Sequence, residues 1–224
     1  MMSEEVARRR FPRFVIHIPF LYTPDTPLSA SIGAGWTRAL SEGGATVELS
    51  ERLRPLTPLR LRLKTDQGTI EAEAKVVWSG GRVTEGGGVV HGLAFTWMAP
   101  DQFQTLRDMF RPLPIMRHAG VRLPLDLPIT CHPKNPAGPP LQGRTGNVNR
   151  GGLFLRLPRL LPPGTGLEVT VHAPTEPLTV DGAVVWVEPP EIWKPGESIG
   201  HGFRFNALTW STLISLGFLL VEPA

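Results

Sequence analysis

Four arginines crowd one short segment near the start of this chain, Arg8, Arg9, Arg10 and Arg13. A guanidinium is a planar fork of donors that clasps phosphate oxygens or guanine O6 and N7 and also stacks on a base. On an arm preceding a folded unit, such groups can close over a ligand lying on its surface. Downstream, Ser41-Glu42-Gly43-Gly44 forms a small polar turn offering a hydroxyl, backbone amides and glycine's close approach. Together these residues predict a localised anion site. Later segments lack this density of basic residues, and formal net charge is only +3, which argues against a general nucleic-acid surface.

The same features recur at an offset of about 109 residues. Arg13 matches Arg122, Ser41 matches Asn149 and Gly44 matches Gly152. Val76-Val77-Trp78 matches Val184-Val185-Trp186, and His91-Gly92-Leu93-Ala94-Phe95 matches His201-Gly202-Phe203-Arg204-Phe205. One fold built twice is the reading, with domains expected at residues 1–112 and 113–224.

The elements that must position these residues are short strands. Gly and Pro number 24 each in 224 residues, which suits tight turns between strands better than a helical fold. In copy one the strand signals fall at Phe14–Leu21, Ala45–Leu49, Leu59–Lys64, Thr69–Val77 and Val90–Phe95. In copy two they fall at Val121–Thr130, Gly152–Leu157, Leu167–Val171, Leu178–Val187 and Gly200–Phe205. Glu71, Glu73 and Lys75 alternate with Ala72, Ala74 and Val76, the period of a strand with one wet face. A helix closes each copy. The first is expected to be capped by Asp101 and to carry Phe103, Leu106 and Phe110 on one face; the second follows Thr209 and carries Leu213, Leu216 and Leu220 likewise. Arg111 to Met116, broken by prolines, reads as the linker. The predicted class is mainly all-β: two tandem small antiparallel barrels, each followed by a C-terminal helix.

In their order and spacing these residues resemble the PilZ domain family, whose hallmark is an RxxxR arm followed by a D/N-x-S-x-x-G loop. The Val-Val-Trp strand and the Gly-x-x-Phe strand also look like that family's barrel, and the likeness spans both copies. Similar domains bind cyclic di-GMP, a bacterial second messenger, and relay it to a partner. By this resemblance Arg9 and Arg13 are the two family arginines, and Ser41 and Gly44 the loop serine and glycine. Ala39 stands where the family has Asp or Asn, so a base-edge hydrogen bond is lost, worth about 1–3 kcal/mol if its partner stays buried. In copy two Arg122, Asn147 and Gly152 match, Asn149 replaces the serine, and His118, beside Arg117, replaces the first arginine. Histidine is largely neutral near pH 7 and offers no fork. Copy one has the better arm and copy two the better loop.

The resemblance implies a bacterial receptor that binds cyclic di-GMP and shifts the relative orientation of its domains. The output would be a protein partner controlling motility, adhesion or polysaccharide. The alternative is a nucleotide-independent adaptor docking a pilus or regulatory protein; nucleic-acid binding through the arm stands third. Trp78 and Trp186 are read as core or barrel-edge packing, and His91 and His201 as structural.

Enzyme chemistry is not expected. The glycine runs lack the Gly-Lys-Ser/Thr ending of a phosphate loop, and no Gly-x-Ser-x-Gly elbow occurs. Asp66, Asp126 and Asp181 are scattered, and Cys131-His132 has no second ligand pair nearby. No catalytic residue, metal or cofactor is therefore predicted. The single cysteine suits a reducing cytoplasm, the apolar run at Phe14–Leu21 is interrupted by His17 and Pro19 and does not suit a signal peptide, and no run is long enough to span a bilayer.

Overall fold

A computed structural model describes residues 11–25, 31–82, 87–111, 121–135, 137–194 and 196–221. Copy one consists of β1 (Pro19–Pro24), β2 (Gly33–Ser41), β3 (Gly44–Leu49), β4 (Pro58–Thr65), β5 (Gly68–Arg82), β6 (Val89–Met98) and helix α1 (Pro100–Asp108). These strands close into an antiparallel barrel in the order β1-β2-β3-β6-β5-β4, with β1 pairing both β2 and β4. Copy two contains β7 (Leu123–Pro124), β8 (Pro128–Asn135), β9 (Leu141–Asn149), β10 (Gly152–Leu157), β11 (Gly166–Val171), β12 (Leu178–Val187), β13 (Ile199–Phe205) and helix α2 (Trp210–Val221). Pairing of β10 with β9 closes this second sheet.

Alternation builds the barrels. Along β4, Leu59, Leu61 and Leu63 point inward while Arg60 and Arg62 face water; Leu153, Leu155 and Leu157 do the same along β10. Gly152–Leu157 and Leu178–Val187 are strands over the predicted spans. Two predicted strands are redrawn. Phe14–Leu21 begins as an isolated bridge to Leu40, with regular pairing from Pro19, and Val121–Thr130 divides into β7 and the start of β8. Strands β2 and β9 had no counterpart in the expected set.

These two strands carry the device that roots each arm. Phe14 and Leu40 exchange backbone hydrogen bonds of 2.8 and 2.9 Å, and Leu123 of β7 lies opposite Val148 of β9 in the matching place. Thr37 and Thr145, both buried, clamp the next residues. The Thr37 hydroxyl accepts from the Ile18 amide at 2.9 Å and donates to the Ile16 carbonyl at 2.5 Å; that of Thr145 accepts from Leu127 at 2.9 Å and donates to Leu125 at 2.6 Å. The arginine at the end of each arm is thereby fixed beside a barrel hairpin.

The two motif glycines are barrel residues. A side chain at Gly44 would overlap the Leu93 carbonyl oxygen, and one at Gly152 the Phe203 carbonyl oxygen. Backbone on both sides leaves nothing flexible to yield. Gly152→Ala is expected to destabilise the protein by about 3 kcal/mol, the upper end for overpacking, as read from the urea midpoint. An unchanged midpoint would show that β10 and β13 separate freely there.

Helix α1 starts after Ala99 with Pro100 in its first turn, so Asp101 lies inside the helix and does not cap it. Leu106 is buried as expected, and Phe110 stacks on Phe14 with ring centroids 4.7 Å apart. Thr209 caps α2, its hydroxyl accepting from the Thr212 amide at 3.2 Å. The predicted apolar face of α2 is correct, but it lies largely on the other barrel. The Trp36 indole donates to the Leu213 carbonyl at 2.8 Å, Leu21 and Ala34 pack with Val221, and Gly217 sits over Ala34. The outer face of β1 and β2 is thus covered by the last helix of copy two.

Candidate ligand site on the barrel hairpins

In copy one the arm and the β2–β3 hairpin enclose a cleft of about 240 Å³. Phe11 and Arg13 come from the arm, Ser41, Gly43 and Gly44 from the hairpin, Val77 and Trp78 from β5, and Gly92 to Ala94 from β6. The Phe11 ring lies against Gly43, where any side chain would collide with it, and so seats the arm on the hairpin. Arg13 Nη1 donates to Thr46 Oγ1 at 3.2 Å.

Trp78 is not core. Its indole lies over Gly92, where a Cβ would overlap Nε1, and 40% of the residue is exposed along the cleft. Trp186 repeats this position at 48% exposure, tilted against Phe154. Both are outer-surface aromatics packed on barrel glycines, Gly92 and Gly202, so of the core or barrel-edge packing expected for them the core placement does not hold. A flat indole beside an arginine fork is a surface on which a planar base stacks.

Ser41 is only 5% exposed, and its hydroxyl donates to the Gly44 carbonyl at 3.0 Å, closing the turn. Asn149 does equivalent work in copy two, where Oδ1 accepts from the Gly151 amide at 2.9 Å and the Gly152 amide at 3.0 Å. These side chains are engaged within their own hairpins, whose shape they hold.

Arg122 and Asn147, distant in sequence, are brought together: Arg122 Nη1 donates to Asn147 Oδ1 at 3.0 Å. Burial lowers the Arg122 pKa, although a guanidinium stays charged at neutral pH. Ala39 occupies the Asn147 position in copy one, and there Arg13 turns to Thr46 instead. Arg8, Arg9, Arg10, Arg117 and His118 lie outside the described residues.

Three participants escaped sequence reasoning. Thr46 and Phe11 carry no motif signal of their own. Arg150 does: it replaces Glu42 at the matched loop position, a reversal of charge. Glu42 pairs with Arg107 of α1 at 3.3 Å, whereas Arg150 reaches across to Glu48 of barrel one at 2.7 Å. His91 and His201 are fully buried and structural, as expected. The Cys131 thiol is buried in barrel two and pushed up to about 12, so it is no nucleophile at neutral pH. No helix among the described residues is long and apolar enough to cross a membrane.

Among solved structures, the chain is similar to the Bacillus subtilis inhibitor of motility MotI/DgrA, with 12% identity over 92% of this chain and 96% of that one and a TM-score of 0.35. It is similar to Escherichia coli YcgR in complex with c-di-GMP, with 12% identity, 89% and 81% coverage and a TM-score of 0.36. It is also similar to the Klebsiella pneumoniae MrkH–c-di-GMP complex, with 14% identity, 89% and 86% coverage and a TM-score of 0.37. No curated protein matches. The PilZ domain model matches residues 7–111 and again 117–218, a barrel with its arm and hairpin each time, and on that double match the chain belongs to the PilZ family.

Proposed function

We propose that the protein is a receptor for cyclic di-GMP, gripped in copy one between the arginine arm and the β2–β3 hairpin. The observation that carries this reading is the cleft in which Arg13, the Ser41–Gly44 turn and the exposed face of Trp78 converge. Its volume, near 240 Å³, suits one guanine rather than the whole dinucleotide. The base would stack on Trp78, with Arg13 on a phosphate or the guanine edge, and the second nucleotide would lie under Arg9 and Arg10. Arg122 and Asn147 offer a second place of the same kind in copy two. The protein would act in the cytoplasm by binding and conformational coupling, without catalysis, on a partner controlling motility, adhesion or polysaccharide.

Titration calorimetry with cyclic di-GMP tests this directly. Arg13→Ala removes a charge-assisted hydrogen bond and should weaken binding by roughly ten- to a hundred-fold. A shallow salt dependence should accompany it, because a guest with two phosphates releases few counterions, unlike nucleic acid. The adaptor reading draws on the Ser41 hydroxyl being engaged in its own turn and on Ala39 in place of Asp or Asn. No heat from the wild type at high micromolar ligand would favour that adaptor.

A further inference from the structure

Glu48 sits on the outer face of β3 with its side chain only 3% exposed, held between two arginines. Arg38 Nη1 of the same barrel approaches at 3.4 Å, and Arg150 Nη2 of the other barrel at 2.7 Å. Arg150 belongs to the turn that joins Asn149 to Gly152, the copy-two motif loop. A buried carboxylate left without its cation is strongly unfavourable, so this contact has force. A cavity of about 350 Å³ adjoins it, bordered by Arg150, Gly151, Arg204, Asn206 and, from the approach to and first turns of α2, Leu208 and Leu213. Helix α2 itself stays on barrel one through Trp36 and Gly217.

Taken together, these contacts tie barrel two to barrel one at two places, the Arg150 turn and helix α2. From them we infer that Glu48–Arg150 is an interdomain catch that opposes ligand binding at the copy-two loop. Barrel two swings about the Asn206–Thr209 segment when the catch opens. This inference rests on the cyclic di-GMP reading for its ligand, though not for the catch. The sign follows from charge. While the barrels are docked, the turn's own guanidinium is committed to Glu48, and that carboxylate lies beside a place meant for a dianion. A ligand on the loop draws Arg150 away, and the empty space beside it gives barrel two room to move. In copy one the matching loop residue, Glu42, pairs instead with Arg107 of α1 in its own domain.

The test uses the full chain labelled through Gln67→Cys and Thr175→Cys, exposed positions on the two barrels. Inter-label distances and cyclic di-GMP titrations are compared for wild type, Glu48→Gln and Arg150→Ala. Without ligand, both substitutions should broaden the distance distribution. Arg150→Ala leaves the Glu48 carboxylate with Arg38 as its cation, whereas Glu48→Gln removes the buried charge itself, so a broadening shared by both variants reports the catch and not an unpaired carboxylate. Glu48→Gln should bind its second equivalent of cyclic di-GMP about tenfold tighter than wild type. Unchanged ligand-free distances in both variants would overturn the catch. Broadened distances with unchanged affinity in Glu48→Gln would overturn its coupling to the ligand. A wild type that binds no cyclic di-GMP at either loop would remove the receptor reading, and the ligand-free distances would still decide the catch.

Discussion

Trp36→Ala is expected to destabilise the protein by about 3–5 kcal/mol and to release α2 from barrel one. Trp36 is fully buried although it lies on the outer face of its barrel, because α2 covers it. Removing the indole leaves a cavity between two domains that cannot collapse without moving a helix, so the cost belongs at the high end for aromatic truncation. Trp36→Phe separates the contributions. It keeps most of the apolar contact, loses only the 2.8 Å hydrogen bond to the Leu213 carbonyl, and should cost about 1 kcal/mol. Thermal unfolding is the measurement. The wild type should melt as one unit through this shared interface, and Trp36→Ala in two resolved steps as the barrels uncouple. If Trp36→Ala melts in one step near the wild-type temperature, α2 is not what joins the domains.

That interface also explains where the sequence stopped being readable. Strands such as β10 and β12 have a clear wet side, and their spans were legible residue for residue. Strand β2 does not. Ala34 and Trp36 on its outer side are as buried as Thr37 on its inner side, so no alternation survives to mark it. In β9, Gly143 and Gly146 lie where a side chain would strike β10, and the polar run around them disguises a strand as a loop. The period of α2 showed which face is buried, with Leu213, Leu216 and Leu220 along it. Periodicity says nothing of what does the burying, and here it is the other copy.

The site was legible to the same degree. Arg13 and Arg122 are where the repeat placed them, each at the foot of an arm bridged to its barrel. Ser41 and Gly44 are also in place, but the structure assigns them first to the turn and to the close approach of β6. A motif residue can thus persist for packing, so its presence alone is weak grounds for retained binding. The Arg150–Glu48 pair joins residues far apart in the chain with no shared pattern. The reversal from Glu42 to Arg150 is the one trace of it in the sequence, and it names no partner.

Stability should fall as pH drops below about 6.5, well above the range in which carboxylates titrate. His91 and His201 occupy matched, fully buried positions with the same bonding. Each Nδ1–H donates to a backbone carbonyl, Val89 at 3.0 Å and Ile199 at 2.9 Å. Each Nε2 accepts a backbone amide at 3.0 Å, from Leu53 and Leu161. This fixes the neutral tautomer, since a proton on Nε2 would face an N–H donor. Burial is the main cause lowering both pKa values, against smaller raising effects of the Val89 and Ile199 carbonyls; Arg52 and Glu51 act on His91 and Glu188 on His201. With the folded pKa depressed, the unfolded chain binds the extra protons. The stabilisation is therefore complete above the unfolded value and declines as pH falls toward the folded one. The limiting slope is about 1.4 kcal/mol per pH unit for each histidine. Urea titrations between pH 7.5 and 5 should show the decline, and replacing both residues by Gln, which bonds similarly but does not titrate, should flatten it. A wild type equally stable across that range would mean that the two imidazoles take up protons in the folded state, against the bonding seen at both.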